Sequence, residues 1–271
     1  MEFVGKAAVI TGAGSGIGRA LAFELARRNL RGMALVDMSE TVAGVAAEIN
    51  AEAGRQVAHP YRGDATDEAF RASVFDSINS RFGTVTMCVP AAGITRDDLA
   101  VRIDKITGKA RIYPVDRFKQ VLDVNLVAPV YWALEMIGRI AEDRAARGLK
   151  RWEPSEGMQG AIVFIGSVSS TGNRGQISYA SAKAGLEGAA ATIMKEAVFH
   201  GVRCGLIHPG FTDTPMVRAM GDDYIAKHIL PFTQLSRLIR PDEIADAICF
   251  MLANSAVSGE LWADAGWHAP A

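Results

Sequence analysis

Tyr179 and Lys183 stand four residues apart in Tyr179-Ala180-Ser181-Ala182-Lys183. On a helix that spacing puts both side chains on one face. A free phenol titrates at about pH 10 and is a poor base at neutral pH. A neighbouring ammonium favours the phenolate and lowers that value, so the pair can exchange a proton with a carbonyl or alcohol oxygen. Ser167 follows the apolar run AIVFI at residues 161–165, where its hydroxyl could hold the same oxygen. Asn125, in the stretch LDVNL, could anchor a water that relays protons to Lys183. Tyr-x-x-x-Lys alone is equally the signature of a surface pair, so its meaning rests on what accompanies it.

What accompanies it is a glycine-rich turn, Thr11-Gly12-Ala13-Gly14-Ser15-Gly16-Ile17-Gly18. The common G-x-G-x-x-G spacing fails, because Ile17 occupies the third glycine position. T-G-x-x-x-G-x-G fits instead, on Gly12, Gly16 and Gly18, with Ser15 and Ile17 between them. Glycines permit tight turning and close backbone approach, and a following helix offers free N–H groups to a pyrophosphate. Asp37 ends the run MALVD, 19 residues after Gly18. A carboxylate there can accept from both adenosine ribose hydroxyls and would repel a 2′-phosphate. No cation follows at once, since Met38, Ser39 and Glu40 come next. The reading is NAD(H) over NADP(H). The competing one is a carboxylate capping the next helix.

These residues need elements to position them. Apolar runs at residues 7–11, 33–37, 57–62, 85–89, 161–165, 202–207 and 261–265 read as strands. Helical spacing fills residues 19–29, 40–53, 67–82, 115–141 (with a bend expected at Pro129), 178–200 and 241–253. Strand–helix alternation with fully apolar strands predicts a parallel sheet covered on both faces. Residues 102–115 read as a small hairpin around Thr107-Gly108-Lys109, and residues 144–159 as an exposed polar connection. Neither marks a domain boundary, so one domain over 1–271 is expected.

Composition excludes several classes. The 271 residues carry 29 Lys+Arg against 30 Asp+Glu, a net charge of −1 that lacks the basic balance of a nucleic-acid binder. With 49% hydrophobic and 22% charged residues the chain is not globally disordered. Cys88, Cys204 and Cys249 are too scattered for a disulfide framework or a zinc site, and point to a reducing cytoplasm. No uninterrupted apolar run of membrane length stands out, and Glu2 and Lys6 interrupt any secretory core. Neither a membrane partner nor a metal is expected; His59, His200, His208, His228 and His268 show no ligand spacing.

Taken together, the glycine turn, Asp37 and the Tyr179/Lys183 pair resemble the short-chain dehydrogenase/reductase family, over residues 6–266. AAGITRDDL (91–99), IGSVSSTGNRGQISYASAKAGL (165–186), HPGFTDTPM (208–216) and SGELWADAG (258–266) are similar to bacterial 3-oxoacyl-(acyl carrier protein) reductases. The resemblance implies an α/β, Rossmann-type, doubly wound, seven-stranded parallel sheet and a nicotinamide cofactor. It implies a tetrad of Asn125, Ser167, Tyr179 and Lys183, with Lys183 also binding ribose. Asp64 and Ala65 match the segment beside the adenine. Ala92 and Gly93 match the cofactor-supporting turn, and Ile207, Pro209, Gly210 and Thr214 the segment touching the nicotinamide and phosphates. It also implies a homo-oligomer, dimer or tetramer. The Ala- and Gly-rich helix from Ala180 to Ala191 is a natural interface, because small side chains permit close approach.

Three departures stand out. The supporting turn reads Pro90-Ala91-Ala92-Gly93 where the family usually has Asn-Asn-Ala-Gly. Ser167 precedes Tyr179 by 12 residues rather than the usual 13; the usual spacing falls on Gly166, and Ser169 is the alternative serine. Relatives in fatty-acid synthesis generally prefer NADPH, whereas Asp37 points to NADH. The expected substrates are 3-oxoacyl/3-hydroxyacyl thioesters. The alternatives are a cyclic alcohol, polyol or steroid, or a cofactor-binding regulatory or scaffold protein with little turnover. Residues 214–240 read as a mobile lid or a packed surface helix pair. The 102–115 hairpin either narrows the substrate entrance, contacts another subunit or is plain surface. The basic stretch Arg139, Arg144, Arg147, Lys150 and Arg151 reads as solvated, with an acyl carrier protein or a coenzyme A phosphate as the other possibility. His208 reads as a packed residue.

Overall fold

In a computed structural model, residues 2–267 are described. Seven strands form one parallel sheet: β1 (Ala7–Thr11), β2 (Gly32–Asp37), β3 (Ala58–Arg62), β4 (Met87–Pro90), then, beyond the hairpin strands β5 (Val101–Ile103) and β6 (Ala110–Ile112), β7 (Gly160–Ile165), β8 (Val202–Pro209) and β9 (Gly259–Ala263). Their order is β3-β2-β1-β4-β7-β8-β9. β1, β2, β7 and β8 carry almost wholly buried residues, because helices cover both faces of a parallel sheet. The last strand is Gly259–Ala263, two residues earlier than the sequence pattern suggests. Ala265 has left the extended region, at φ 54°.

The helices are α1 (Gly16–Arg27), α2 (Thr41–Ala53), α3 (Glu68–Phe82), α4 (Val115–Leu122), α5 (Ala128–Ala146), α6 (Ile177–Glu196), α7 (Pro215–Arg218), α8 (Asp222–His228) and α9 (Pro241–Ala253). One core layer packs α1, α2 and α9 on the sheet through Leu21, Leu25, Ile49, Ile248 and Leu252. The other packs α3, α5 and α6 through Phe75, Ile78, Trp132, Met136 and Leu186. The order reverses between β1 and β4, and a crevice opens at the carboxyl ends of those strands, where such sheets bind ligands.

Three further features depart from the sequence reading. The helix is interrupted not at Pro129 but just before it, by a π-helical turn Asp123–Val127 between α4 and α5. Pro129 has no N–H for the Asn125 carbonyl four residues earlier, so regular α-bonding fails there. The run Val115–Ala146 is long and apolar enough to cross a membrane by length and composition, at mean hydropathy 1.3. Here Trp132, Ala133, Met136 and Ile140 bury its inner face against the sheet instead. The exposed connection also needs correcting at its first residue. Arg144 is 1% exposed, because Glu156 pairs with its guanidinium at 2.5 Å and the Lys150 carbonyl accepts at 3.1 Å. Arg139 is likewise engaged, by Asp76 and Glu135.

The hairpin forms as expected, with Val101 opposite Ile112 and Ile103 opposite Ala110. Asp104 shapes its turn by accepting from the Ile106 and Thr107 N–H groups.

Candidate active site

The glycine turn leaves β1 and starts α1 against two neighbours. Gly12 sits at φ 66°, and a Cβ there would lie 2.7 Å from the Ala92 nitrogen. Gly16 sits at φ 53°, where a Cβ would meet the Thr214 methyl at 3.0 Å. The turn is therefore pressed between the segment that follows β4 and the start of α7, and side chains at these glycines have no room. Thr11 ties the arrangement by accepting from the Ala92 N–H (3.1 Å) through its hydroxyl.

Asp37 ends β2 and faces this turn. Its carboxylate accepts from the Gly14 N–H (2.8 Å) and the Ser39 N–H (2.9 Å). It does not cap α2, whose cap position is Glu40. Arg62 is paired with Asp37 in register, yet its guanidinium turns to Glu40 (2.5 Å) and the Met38 carbonyl (3.3 Å). At the β2 end of the groove an acid, not a cation, therefore forms the lining. That groove, about 340 Å³, is bounded by Gly12, Ser15, Gly16, Ile17 and Gly18, by Asp37, by Asp64 and Ala65, by Ala92 and Gly93, and by Tyr179, Lys183 and Thr214. Trp132, buried under it, donates to the Ala65 carbonyl at 2.8 Å and fixes that wall. Pro209 and Gly210 lie next door, in a second cavity of about 150 Å³ that shares Tyr179 and Thr214 with the groove. Ile207 is fully buried at the sheet end.

Tyr179 and Lys183 open α6 and converge where the two cavities meet. Lys183 is buried, its Nζ 5.6 Å from the Tyr179 ring centre, and it donates to the Ile165 carbonyl at 2.7 Å. Burial pulls its ammonium down to about 8. Burial also raises the Tyr179 phenol above its ordinary value, a hydrogen bond with Ser167 opposes that rise, and the Asp97 charge adds to it. The net direction corrects the expectation of a phenol lowered by its lysine. Desolvation outweighs an ammonium placed over the ring, and that ammonium is itself disfavoured by burial.

The two candidate serines sit differently toward the phenol. Ser167 engages Tyr179, while Ser169 spends its N–H on the Ser167 hydroxyl (3.0 Å). Asn125 is fully buried in the π-helical turn. Its amide closes on Ile94 from both sides, donating to the carbonyl and accepting from the N–H, each at 2.8 Å. The side chain thereby holds the segment after Gly93.

The second cavity has two walls that sequence spacing does not reveal. Ile17, Phe211, Met216, Val217 and Met220 make it apolar on one side; Asp97, Ser169, Asn173 and Gln176 make it polar on the other. Gln176 donates to Asp97 at 2.9 Å. The hairpin attaches to this polar wall, with Asp98 pairing Arg102 and Arg111 while its N–H reaches the Gly175 carbonyl. Residues 214–240 cover the apolar wall on a small core of their own, Ile225, Ile229 and Leu238 against Phe211 and Trp267. The residues of the polar wall lie in the two stretches 91–99 and 165–186, whose meeting no spacing reports.

A model of the short chain dehydrogenase family matches residues 6–225. The chain belongs to the short-chain dehydrogenase family. It is 33% identical over 271 residues to the 3-oxoacyl-[acyl-carrier-protein] reductase FabG of Escherichia coli, covering 96% of each chain. It is 32% identical to the enzyme of the same name in Vibrio harveyi, again over 96% of each. It is 29% identical to a (3R)-3-hydroxyacyl-CoA dehydrogenase of Canis lupus familiaris, over 91% of this chain and 89% of that one. The coarse chemistry is accordingly oxidoreduction between a carbonyl and an alcohol. Among the described residues no cluster of three or more His, Cys, Asp or Glu could hold a metal; His268 lies outside them.

Proposed function

We propose that this chain is an NAD(H)-dependent oxidoreductase of 3-oxoacyl/3-hydroxyacyl thioesters. The observation carrying the reading is the convergence of Tyr179, Ser167 and Lys183 at the junction of a long groove and a smaller pocket. The groove fits a dinucleotide. The start of α1 offers N–H groups to the pyrophosphate, Asp37 offers two acceptors to the ribose hydroxyls, and Ala65 and Asp64 flank the adenine end. When bound, the nicotinamide supplies or takes the hydride.

The protein's own residues handle the proton. In reduction the Tyr179 phenol gives its proton to the substrate oxygen, and its raised value suits the acid role. The Ser167 hydroxyl steadies the same oxygen. Lys183 binds ribose and, as an ammonium, stabilises the phenolate left behind. The Asn125 carbonyl holds the water through which Lys183 recovers a proton. Asp37 in the groove, with Arg62 turned to Glu40, favours NAD(H) over NADP(H). The apolar wall of Phe211, Met216, Val217 and Met220 suits an acyl chain, and the 214–240 segment acts as its lid. The relatives named as 3-oxoacyl reductases and 3-hydroxyacyl dehydrogenases support that substrate class.

The chain 1–271 acts as one domain, in the cytoplasm, as a dimer or tetramer. Ala182, Leu186 and Ala190 of α6 face its own core, while Ala184, Gly188 and Ala191 stay exposed, leaving a small-residue face for a second copy.

The test is NADH oxidation with acetoacetyl-coenzyme A beside a panel of cyclic ketones, polyols and steroids. Turnover of the thioester above the panel is the expected result. Turnover confined to the panel would change the substrate class. Cofactor binding with no turnover at all would favour a regulatory or scaffold role.

A further inference from the structure

His208 is fully buried near the end of β8 and touches neither cavity. Its Nδ1 lies 3.1 Å from the main-chain carbonyl of Ser167, 41 residues away in sequence. Its Nε2 lies 3.1 Å from Glu260 Oε2 on β9 and 3.9 Å from Glu187 Oε1 on α6. The ring stacks on Trp262 with centres 4.1 Å apart and planes 12° from parallel, so it cannot swing. A carbonyl only accepts, so Nδ1 must be the donor. Glu260 closes on the other nitrogen, so Nε2 shares a hydrogen bond with that carboxyl. The imidazole is thus clamped at both nitrogens. The neighbouring backbone is cut to fit: a Cβ on Gly166 would lie 2.8 Å from Nδ1. The Ser167 carbonyl also accepts from the Ser170 N–H (3.1 Å), so the peptide group is held from two directions.

We propose that His208 is a positioning residue for the reaction: anchored on Glu260, it holds the Ser167 carbonyl and so fixes where the Ser167 hydroxyl meets the Tyr179 phenol. The inference rests on the proposed role of Ser167. Ser167 is the last residue before a short 3-10 turn (Val168–Thr171) that follows β7, so the His208 bond acts where the chain leaves the sheet. A displacement of about 1 Å in a catalytic group can cost about a hundredfold in rate.

The experiment measures kcat, KM and NADH affinity for His208→Leu and His208→Asn, each in the native chain and in Ser167→Ala. Leucine keeps the volume and removes the donor, whereas the Asn amide can place an N–H near the lost Nδ1. His208→Leu should lower kcat at least about tenfold, with KM and NADH affinity within about twofold, and His208→Asn should restore most of that loss. In Ser167→Ala, His208→Leu should change kcat by less than about twofold, because the hydroxyl it positions is gone. Full kcat in His208→Leu, or the same fall in both backgrounds, would overturn the proposal. Should the Leu variant not fold, His208→Gln replaces it, with its amide nearer Nε2 and too far for the Ser167 carbonyl.

Hydrogen exchange at the Ser169 amide, which donates to the Ser167 hydroxyl, needs no substrate. It should quicken in His208→Leu and stay slow in His208→Asn; equal rates would refute the inference even if the native chain turned over nothing tested.

Discussion

Replacing Lys183 by Met should stabilise the folded protein while destroying its activity. Lys183 is 5% exposed, and burial holds its ammonium at about 8 against an ordinary 10.5. That gap corresponds to roughly 3 kcal/mol by which the fold disfavours the charged form at neutral pH. Met keeps most of the volume and removes the charge. It also loses the hydrogen bond from Nζ to the Ile165 carbonyl, worth about 1.5 kcal/mol or somewhat more for a charged donor. The net expectation is a gain of about 1–2 kcal/mol, or about 2–4 °C in Tm for a chain of 271 residues. The sign depends on pH. Below about 8 the folded chain keeps the disfavoured ammonium and the whole penalty applies. Between about 8 and 10.5 the folded chain sheds the proton while the unfolded chain retains it, so the native protein gains stability with rising pH. The Met variant's advantage should therefore shrink above pH 8 and vanish near 10. Thermal melts of both proteins at several pH values, without cofactor, give the measurement. A Met variant less stable at neutral pH, or a difference that does not change with pH, would refute the reasoning. Turnover should fall by about 10²–10⁴-fold, since proton transfer is lost.

Asp37→Ser should lower kcat/KM for NADH by about 10–100-fold, the worth of hydrogen bonds to a charged acceptor, and raise that for NADPH. Arg62 waits beside the vacated position, so adding Glu40→Gln should favour NADPH further; both are read from kinetics with the two cofactors. Gly14→Ala should weaken NADH binding about tenfold, because a Cβ there meets Thr41 Oγ1 at 2.6 Å and Asp37 Oδ2 at 2.9 Å and pushes the acid aside. A fluorescence titration showing native affinity would contradict that. Light scattering at micromolar concentration should report a dimer or tetramer, and Gly188→Arg on the exposed face of α6 should shift it toward monomer.

The centre of the sheet was legible because β1, β2, β7 and β8 are nearly continuous apolar runs, a pattern that burial on both faces imposes. The glycine turn was legible because close contacts with Ala92 and Thr214 leave no room for a side chain at Gly12 or Gly16. Tyr179 and Lys183 announce themselves because their relation is local, one turn of one helix. Spacing failed where relations are distant. Asn125 closes on Ile94 across 31 residues, and no periodicity reports a π-helical turn. Spacing leaves Ser167 and Ser169 both open, and the Ser167 side chain meets the phenol only in the assembled site. Arg144 read as solvated because its partner Glu156 lies beyond the helix end, on a connection whose path the sequence does not give. The direction of the phenol shift was misjudged for a similar reason. The lysine's proximity shows in the sequence, but the burial that opposes it arises only when the two cavities' walls assemble.

The central claim is that the Tyr179 phenol gives the proton at the junction of groove and pocket. Single-turnover reduction of acetoacetyl-coenzyme A by Tyr179→Phe, preloaded with NADH, tests it most directly. The account predicts NADH affinity within about twofold of the native protein and a rate reduced by about 10²–10⁴-fold. A variant that binds NADH and reduces the substrate at the native rate would remove Tyr179 from the chemistry.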